Sequence, residues 1–128
     1  MVGRGNALQR WIELVSAQVG PPGLGNVTNV VVPYAFNTAT PLLLATGAGV
    51  VSRALVDVSA AFDGPGATMS IGTLANHNLI LPTTSVTPGV VGQYGTQRVF
   101  VGLGNVFLFI TPLGSTVGSG FAFLQYSP

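Results

Sequence analysis

The chain contains no cysteine and no lysine, and only seven of its 128 residues carry a formal charge. Without cysteine there can be no disulfide, no thiolate nucleophile and no cysteine-based metal site. The four arginines and three acidic residues give a net charge of +1 and are scattered along the sequence. Nucleic-acid binding requires clustered cations, so the composition argues against a nucleic acid as partner.

Charged residues make up 5% of the chain, against roughly 25% in ordinary soluble domains. A surface with few charges and a net charge near zero favours association over a monomeric state. The composition therefore predicts a protein that covers much of its surface with copies of itself or with a partner.

Long hydrophobic runs are also missing, although 48% of the residues are hydrophobic. A spanning helix needs roughly 18–20 apolar residues in succession. The best run, residues 99–113, is shorter and is interrupted by glycine, asparagine and proline. Arg10 and Glu13 stand where a secretion signal would need an apolar core. We therefore expect no transmembrane helix, no secretion signal and no membrane partner.

Residues 6–19, NALQRWIELVSAQV, have the periodicity of one short amphipathic helix. Asn6 suits the N-cap, and GPPG at 20–23 ends the helix. The apolar residues that share one helical face are Leu8, Trp11, Ile12, Val15 and Val19. We expect residues 1–26 to form a helical arm with a Pro-Gly linker. This arm either packs on its own domain or reaches a neighbour, and its expected contact residues are Leu8, Trp11, Ile12 and Val15.

From residue 27 the periodicity changes to two, and turn residues separate short apolar stretches. The predicted strands are 27–36, 41–46, 49–62, 67–73, 77–81, 90–94, 96–103, 105–112 and 116–126. GN at 104–105 and GST at 114–116 are interpreted as tight hairpin turns. The expected fold class is all-β: an antiparallel β-sandwich of jelly-roll type over residues 27–128, preceded by the one helix.

Three of the seven charges fall in RALVDVSAAFD, residues 53–63. Alternation in a strand places Arg53 and Asp57 on one mixed face, about 13 Å apart at 3.3 Å per residue. We expect each of these two side chains to find its partner on another strand or another subunit. Asp63 is expected to cap a type II turn with Gly66 at positive φ. A catalytic carboxylate pair must face one point, but Asp63 lies in the turn after the strand, and no second motif supports a catalytic role for it with Asp57.

Other catalytic or binding motifs are equally weak. His77 is the sole histidine, no G-x-S-x-G elbow is present, and the glycine pairs lack the strand–loop–helix setting of a dinucleotide site. The sequence therefore predicts no enzyme activity, no cofactor and no metal. Arg98 is either an ordinary exposed arginine or a contact with an acidic partner. The phenylalanines spaced by two, expected in the core, are Phe107, Phe109, Phe121 and Phe123.

The run VDVSAAFDGPGATMSIGT, followed by glycine-rich strands and the C-terminal GFAFLQYSP, carries a resemblance. It resembles small β-sandwich modules of tailed-bacteriophage virion proteins, over roughly residues 50–127. In those modules a long strand ends in an aromatic–Asp/Asn–Gly turn before a strand of the form xLSIGT. Met69 stands where that strand commonly has leucine.

The resemblance implies a non-enzymatic virion protein, most simply a capsid decoration or cement protein on the outer surface of a phage head. It implies synthesis in the host cytoplasm, the major capsid protein or other virion proteins as partners, and a homo-oligomer, expected to be a trimer. Arg53, Asp57 and Arg98 are the candidate contacts outside the arm. The alternatives are a tail, neck or fibre component and a carbohydrate- or surface-binding sandwich that uses Tyr34, Tyr94 and Tyr126.

Overall fold

The computed structural model describes residues 27–96 and 98–128, and these residues form an all-β structure, as predicted. The predicted arm and its boundary with the domain lie outside the described residues. A single 3-10 turn, Thr83–Ser85, lies between the third and fourth strands. The strands are β1 (Thr28–Ala35), β2 (Leu42–Ala60), β3 (Thr68–Gly72), β4 (Gly92–Thr96), β5 (Phe100–Thr111) and β6 (Ser119–Ser127).

The six strands make one connected antiparallel sheet, with the 19-residue β2 at its centre. The order is β1-β6-β2-β5-β3, and β4 also pairs with β2. On one side, β6 follows β2 from Val50 to Ala60. On the other side, β5 pairs with Leu42–Val51 and β4 with Ala54–Val58. The connected sheet does not confirm the predicted two-sheet sandwich, which stays a prediction.

Glycines kink the central strands without ending them. Gly47 in β2 and Gly102 and Gly104 in β5 have positive φ angles of 63°, 68° and 75°, which side chains with a Cβ rarely adopt. The β2–β5 register shifts at these positions, as at β-bulges. The predicted break at 47–48 and the predicted hairpin at 104–105 are therefore wrong, because both strands continue through these kinks.

Two further strand predictions are also wrong. The GST segment at 114–116 does not close a hairpin, because β5 and β6 pair with opposite sides of β2. Residues 77–81 contribute only the isolated bridge between Leu81 and Ile71.

The turn predicted after β2 does form, with the amide of Ala67 donating to the carbonyl of Gly64 at 3.2 Å. Gly66 does not have positive φ there, so the turn is not of type II.

The main core lies on one face of the sheet. The residues that alternate with Arg53 and Asp57 were expected to form an apolar face, and this is confirmed for Ala54, Val56 and Val58, which are completely buried, and for Phe62, which is 4% exposed. Ala60, at the end of β2, is exposed instead. Side chains from the flanking strands and loops complete this core, among them Met69, Ile71, Leu81, Val106, Leu108, Ala122 and Leu124.

Candidate association surface

The paired phenylalanines of β5 and β6 lie on the face opposite the main core. Val106, Leu108 and Ile110 fill the core from β5. Because alternate residues face opposite sides, Phe107 and Phe109 point outward and are only half-buried. The expectation of a core position is wrong for Phe107 and Phe109, whereas Phe123 is completely buried, in a cluster separate from the main core. Both alternating sets in NVFLFIT are apolar, so a period of two does not show which set faces inward.

An aromatic patch forms where β2, β5 and the loop after β3 meet on this outer face. We define it by Leu43, Leu74, His77, Phe107 and Phe109. Leu43 is the cross-strand partner of Phe107, and the two phenylalanine rings lie 6.1 Å apart. The His77 ring stacks on Phe109, with ring centroids 3.8 Å apart and an interplanar angle of 12°. Leu43 and Leu74 are 45% and 61% exposed, so the patch presents apolar surface to the solvent.

The loop that carries Leu74 and His77 is held tightly against the end of β3. The amide of Thr73 donates to the carbonyl of Asn76 at 3.0 Å, and the amide of Asn76 donates to the Thr73 hydroxyl at 3.2 Å. A Cβ on Gly72 would lie 2.6 Å from the carbonyl oxygen of His77, so only glycine permits this close approach. The loop thus holds the imidazole over Phe109.

An open groove of about 310 Å³ continues from the aromatic patch toward the start of β2. Its walls come from the patch and from the β2 entry and the end of β5, at Thr40, Pro41, Leu74, His77, Phe109, Ile110 and Thr111. Hydroxyl groups and one imidazole are the polar side-chain groups in this lining. Such a surface suits contact with another apolar protein surface.

A second apolar area lies on the outer face of β1, β6 and β2. We call it the outer platform and define it by Val31, Leu55, Phe121 and Phe123. Val31 pairs with Phe123, and Phe123 pairs with Leu55, so these three form a row across three strands. Phe123 is completely buried and Leu55 is 8% exposed. They form a small cluster separate from the main core.

Arg53 and Asp57 flank Leu55 on this outer face, as predicted. Arg53 is opposite Gln125, and Asp57 is opposite Phe121. The Asp57 carboxylate accepts a hydrogen bond from the Ser59 hydroxyl at 2.8 Å. Asp57 thus has a hydrogen-bond partner within its own strand, because residues two apart share a face; the expected partner on another strand or another subunit stays a prediction.

Arg98 lies in the exposed link between β4 and β5. Its guanidinium carbon is 5.3 Å from the centre of the Phe100 ring, within the range of a cation–π contact. Its backbone amide donates to the Thr96 hydroxyl at 3.2 Å. A role for Arg98 in binding an acidic partner stays a prediction, as do the interaction roles of Arg53 and Asp57. The arm residues Leu8, Trp11, Ile12 and Val15 lie outside the described residues.

Asp63 has a structural role in joining two loops. Its carboxylate accepts hydrogen bonds from the Thr116 hydroxyl and amide, both at 2.7 Å, and from the Val117 amide at 3.3 Å. These bonds, with the Thr116 hydroxyl the largest contributor, lower the pKa of Asp63. Asp63 was expected to cap the turn that follows it, but it holds the loop before β6.

Two of the three tyrosines considered for carbohydrate binding, Tyr34 and Tyr94, use their hydroxyl groups internally. Tyr34 is 4% exposed, and its hydroxyl donates to the carbonyl of Asp57 at 2.8 Å. Burial, with the nearby Asp57 charge second, raises the pKa of Tyr34 well above its ordinary value. The Tyr94 hydroxyl donates to the carbonyl of Val90 at 2.7 Å, and Tyr126 packs against the main core. Tyr34 is therefore too buried to serve as an aromatic platform.

Within residues 27–96 and 98–128, no three His, Asp or Glu side chains are grouped so that they could hold a metal ion. No helix in the described part of the chain has the length and hydropathy needed to cross a membrane. Across the same residues, every buried side-chain nitrogen and oxygen has a hydrogen-bond partner.

Comparison with known proteins identifies a shared fold. No family model matches the chain, and no curated protein matches it. Among solved structures, the chain is similar to one from the cyanophage Pam1 capsid asymmetric unit, with a TM-score of 0.59 and 18% sequence identity. The match covers 89% of this chain and 96% of the Pam1 chain. The two chains therefore share their fold over nearly their whole lengths.

Proposed function

We propose that this chain is a non-enzymatic structural protein of a phage virion, and specifically a decoration or cement protein on the outside of the capsid. The observation that carries the proposal is the shared fold with a chain of a cyanophage capsid asymmetric unit. That likeness spans most of both chains, so it concerns the whole described domain rather than a common substructure.

The outer face of the sheet supports an association role. Exposed apolar groups gather in the aromatic patch on a chain with 5% charged residues, and contiguous patches of this kind mark protein contacts. The patch would bind the shell or a neighbouring copy, and the central sheet would act as a rigid body. Each copy would bury apolar surface worth about 25 cal/mol per Å² before association costs.

Copies would assemble as homotrimers and bridge neighbouring capsid subunits, so the stabilisation would add up over many copies. The burial of Tyr34 weighs against the carbohydrate-binding alternative, because a buried ring cannot stack on a sugar. A tail, neck or fibre position remains an outcome of the test.

The test is electron microscopy of the intact particle, together with binding of the purified protein to empty shells. Density for this protein on the outer capsid surface is the expected result, and density in the tail or neck would overturn the decoration role. Native mass spectrometry of the free protein is expected to show trimers. A monomer at high concentration would contradict the proposed assembly.

A matched pair of variants tests whether the aromatic patch is the contact. Leu74 and Val99 are 61% and 63% exposed, and both lie outside the strands. Leu74→Asp places a charge in the patch and is expected to weaken shell binding about tenfold or more, since each 1.4 kcal/mol is a factor of ten. Val99→Asp should bind like the natural sequence. Equal binding by both variants would show that the patch is not the contact.

A further inference from the structure

A leucine occupies the tip of the turn that follows β5, in a backbone conformation that leucine rarely adopts. The turn runs from Pro112 to Ser115, and the amide of Ser115 donates to the carbonyl of Pro112 at 3.0 Å. Its two central residues, Leu113 and Gly114, have φ angles of 44° and 80°, as in a type I′ turn. Asparagine, aspartate or glycine usually occupies the first of these positions, so the backbone at Leu113 is strained.

Hydrogen bonds within the turn and from a neighbouring loop hold it in place. The hydroxyl of the buried Ser115 donates to the carbonyl of Pro112 at 2.7 Å and accepts from the amide of Gly64 at 2.8 Å. The Asp63 carboxylate accepts two further bonds from Thr116, the next residue along the chain. Strained residues persist only where the surrounding structure determines their conformation in this way. The turn therefore presents its leucine in a fixed position.

The side chain of Leu113 is directed to the solvent although it is apolar. It is 57% exposed, and its Cδ1 methyl group lies beside Gly66, where a Cβ would be only 2.7 Å away. A single exposed leucine is ordinary on a protein surface. A leucine that is both exposed and held rigidly in a strained turn indicates a contact with a partner, because its own domain gains little from it.

The groove beside the aromatic patch can receive such a side chain. Its volume is about 310 Å³, whereas removal of a leucine side chain from a protein core leaves a cavity of roughly 150 Å³. The groove thus has room for one leucine and part of the turn that carries it. Among the described residues that line the groove, none carries a formal charge. An apolar side chain can therefore enter without burying an unpaired charge.

A second copy of the chain is the occupant that best fits the groove. Thr111 lines the groove and precedes Leu113 by two positions, so at most about 7 Å separates their Cα atoms. Leu113 nevertheless does not line the groove of its own chain and is exposed. Copies with a net charge of +1 repel one another little. Each copy thus offers a leucine and a groove to its neighbours.

We propose that Leu113 of one copy inserts into the groove of the next copy, against Leu74 and Phe109, and that this contact holds the homotrimer together. A contact between different surfaces of identical chains closes a ring when every copy docks in the same way. Because the leucine and the groove are neighbours in each copy, both lie close to the symmetry axis. This inference names the contact within the proposed homotrimer and so rests on the proposed function.

Disulfide cross-linking between copies tests the contact directly. The chain lacks cysteine, so only engineered residues can react. Leu113→Cys and Leu74→Cys are prepared separately, mixed, allowed to exchange subunits and oxidised, and mass spectrometry identifies which two engineered positions are joined. The mixed covalent dimer is expected to form at several times the yield from Leu113→Cys with Val101→Cys, a control residue that is 70% exposed. Equal yields in the two mixtures overturn the proposal.

A second variant separates association from folding. Leu113→Asn places a residue that suits the turn and removes the apolar side chain, so Tm in dilute solution should be unchanged or higher. The concentration needed for half-assembly, measured by native mass spectrometry, should rise tenfold or more. The control is Val99→Asn, at a residue that is 63% exposed, and it should assemble like the natural sequence.

The outcomes distinguish this contact from the proposed function. Trimers that persist at the natural concentration in Leu113→Asn overturn the contact and leave the proposed homotrimer standing. A natural sequence that is monomeric at high concentration overturns the homotrimer and the contact together.

Discussion

Leu108 and Phe109 are neighbours in one strand, but their truncation should have different effects. Leu108 is completely buried and faces the core between Leu42 and Ile71. Leu108→Ala is expected to cost about 3 kcal/mol of unfolding free energy, within the usual range for buried leucines. Phe109 lies on the outer face against His77. Phe109→Ala should cost about 1 kcal/mol, the worth of its ring contact and partial burial.

The assay is chemical unfolding with urea, followed by circular dichroism. Leu108→Ala should lower the midpoint and leave the slope unchanged, which identifies a change in stability alone. In thermal unfolding, 3 kcal/mol corresponds to a fall in Tm of roughly 10 °C for a domain of this size. The measurements should cover several protein concentrations, because association adds to apparent stability.

Binding to empty capsid shells is the second measurement that compares Leu108→Ala with Phe109→Ala. Phe109→Ala should weaken binding while the isolated protein keeps most of its stability, whereas Leu108→Ala should act through stability alone. If Phe109→Ala unfolds the isolated protein as readily as Leu108→Ala does, Phe109 belongs to the core. The assignment of β5 faces would then be wrong.

Three further changes test other parts of the structure. Because the pKa of Asp63 is lowered in the folded state, the ionised carboxylate stabilises the fold above about pH 4, and this stabilisation is lost as the pH falls through the folded pKa. The urea midpoint should therefore fall less below about pH 4 in Asp63→Asn than in the natural sequence. An unchanged fall would contradict this. Gly120→Ala should prevent normal folding, since its Cβ would overlap the carbonyl oxygen of Asp57 and approach the Tyr34 hydroxyl to 2.6 Å. The control Gly89→Ala meets only ordinary contacts, and equal Tm values for the two variants would refute the packing. Tyr34→Phe should lower stability by about 1 kcal/mol in urea unfolding through the lost bond to Asp57, and no loss would show that the bond is not stabilising.

The sequence predicts the central part of the sheet well because β2 there has one apolar and one mixed face. Ala54, Val56 and Val58 alternate with Arg53 and Asp57, so a single register satisfies both faces. The all-β class follows from the same periodicity over the remaining strands. The interaction residues in the arm stay predictions, because they lie outside the described part of the chain.

Local signals fail where distant pairing decides the structure. Gly104–Asn105 and Gly47 have turn composition, but the long ladder between β2 and β5 continues through both sites. Similarly, NVFLFIT has apolar residues on both faces, and only the position of the strand in the sheet determines that Phe107 and Phe109 face outward. For this reason the sequence alone does not predict the aromatic patch. A strand apolar on both faces, in a chain with so few charges, is the signal that indicates it.

The length of β2 has a mechanical consequence. Its N-terminal half pairs with β5, and its C-terminal half pairs with both β6 and β4. A force that pulls β5 and β6 apart along the strand direction must pass through β2. Such a force loads the antiparallel ladders in shear, so many hydrogen bonds must break together. The domain should therefore resist extension along β2 more strongly than peeling at the β1 or β3 edge, where pairs can open one at a time.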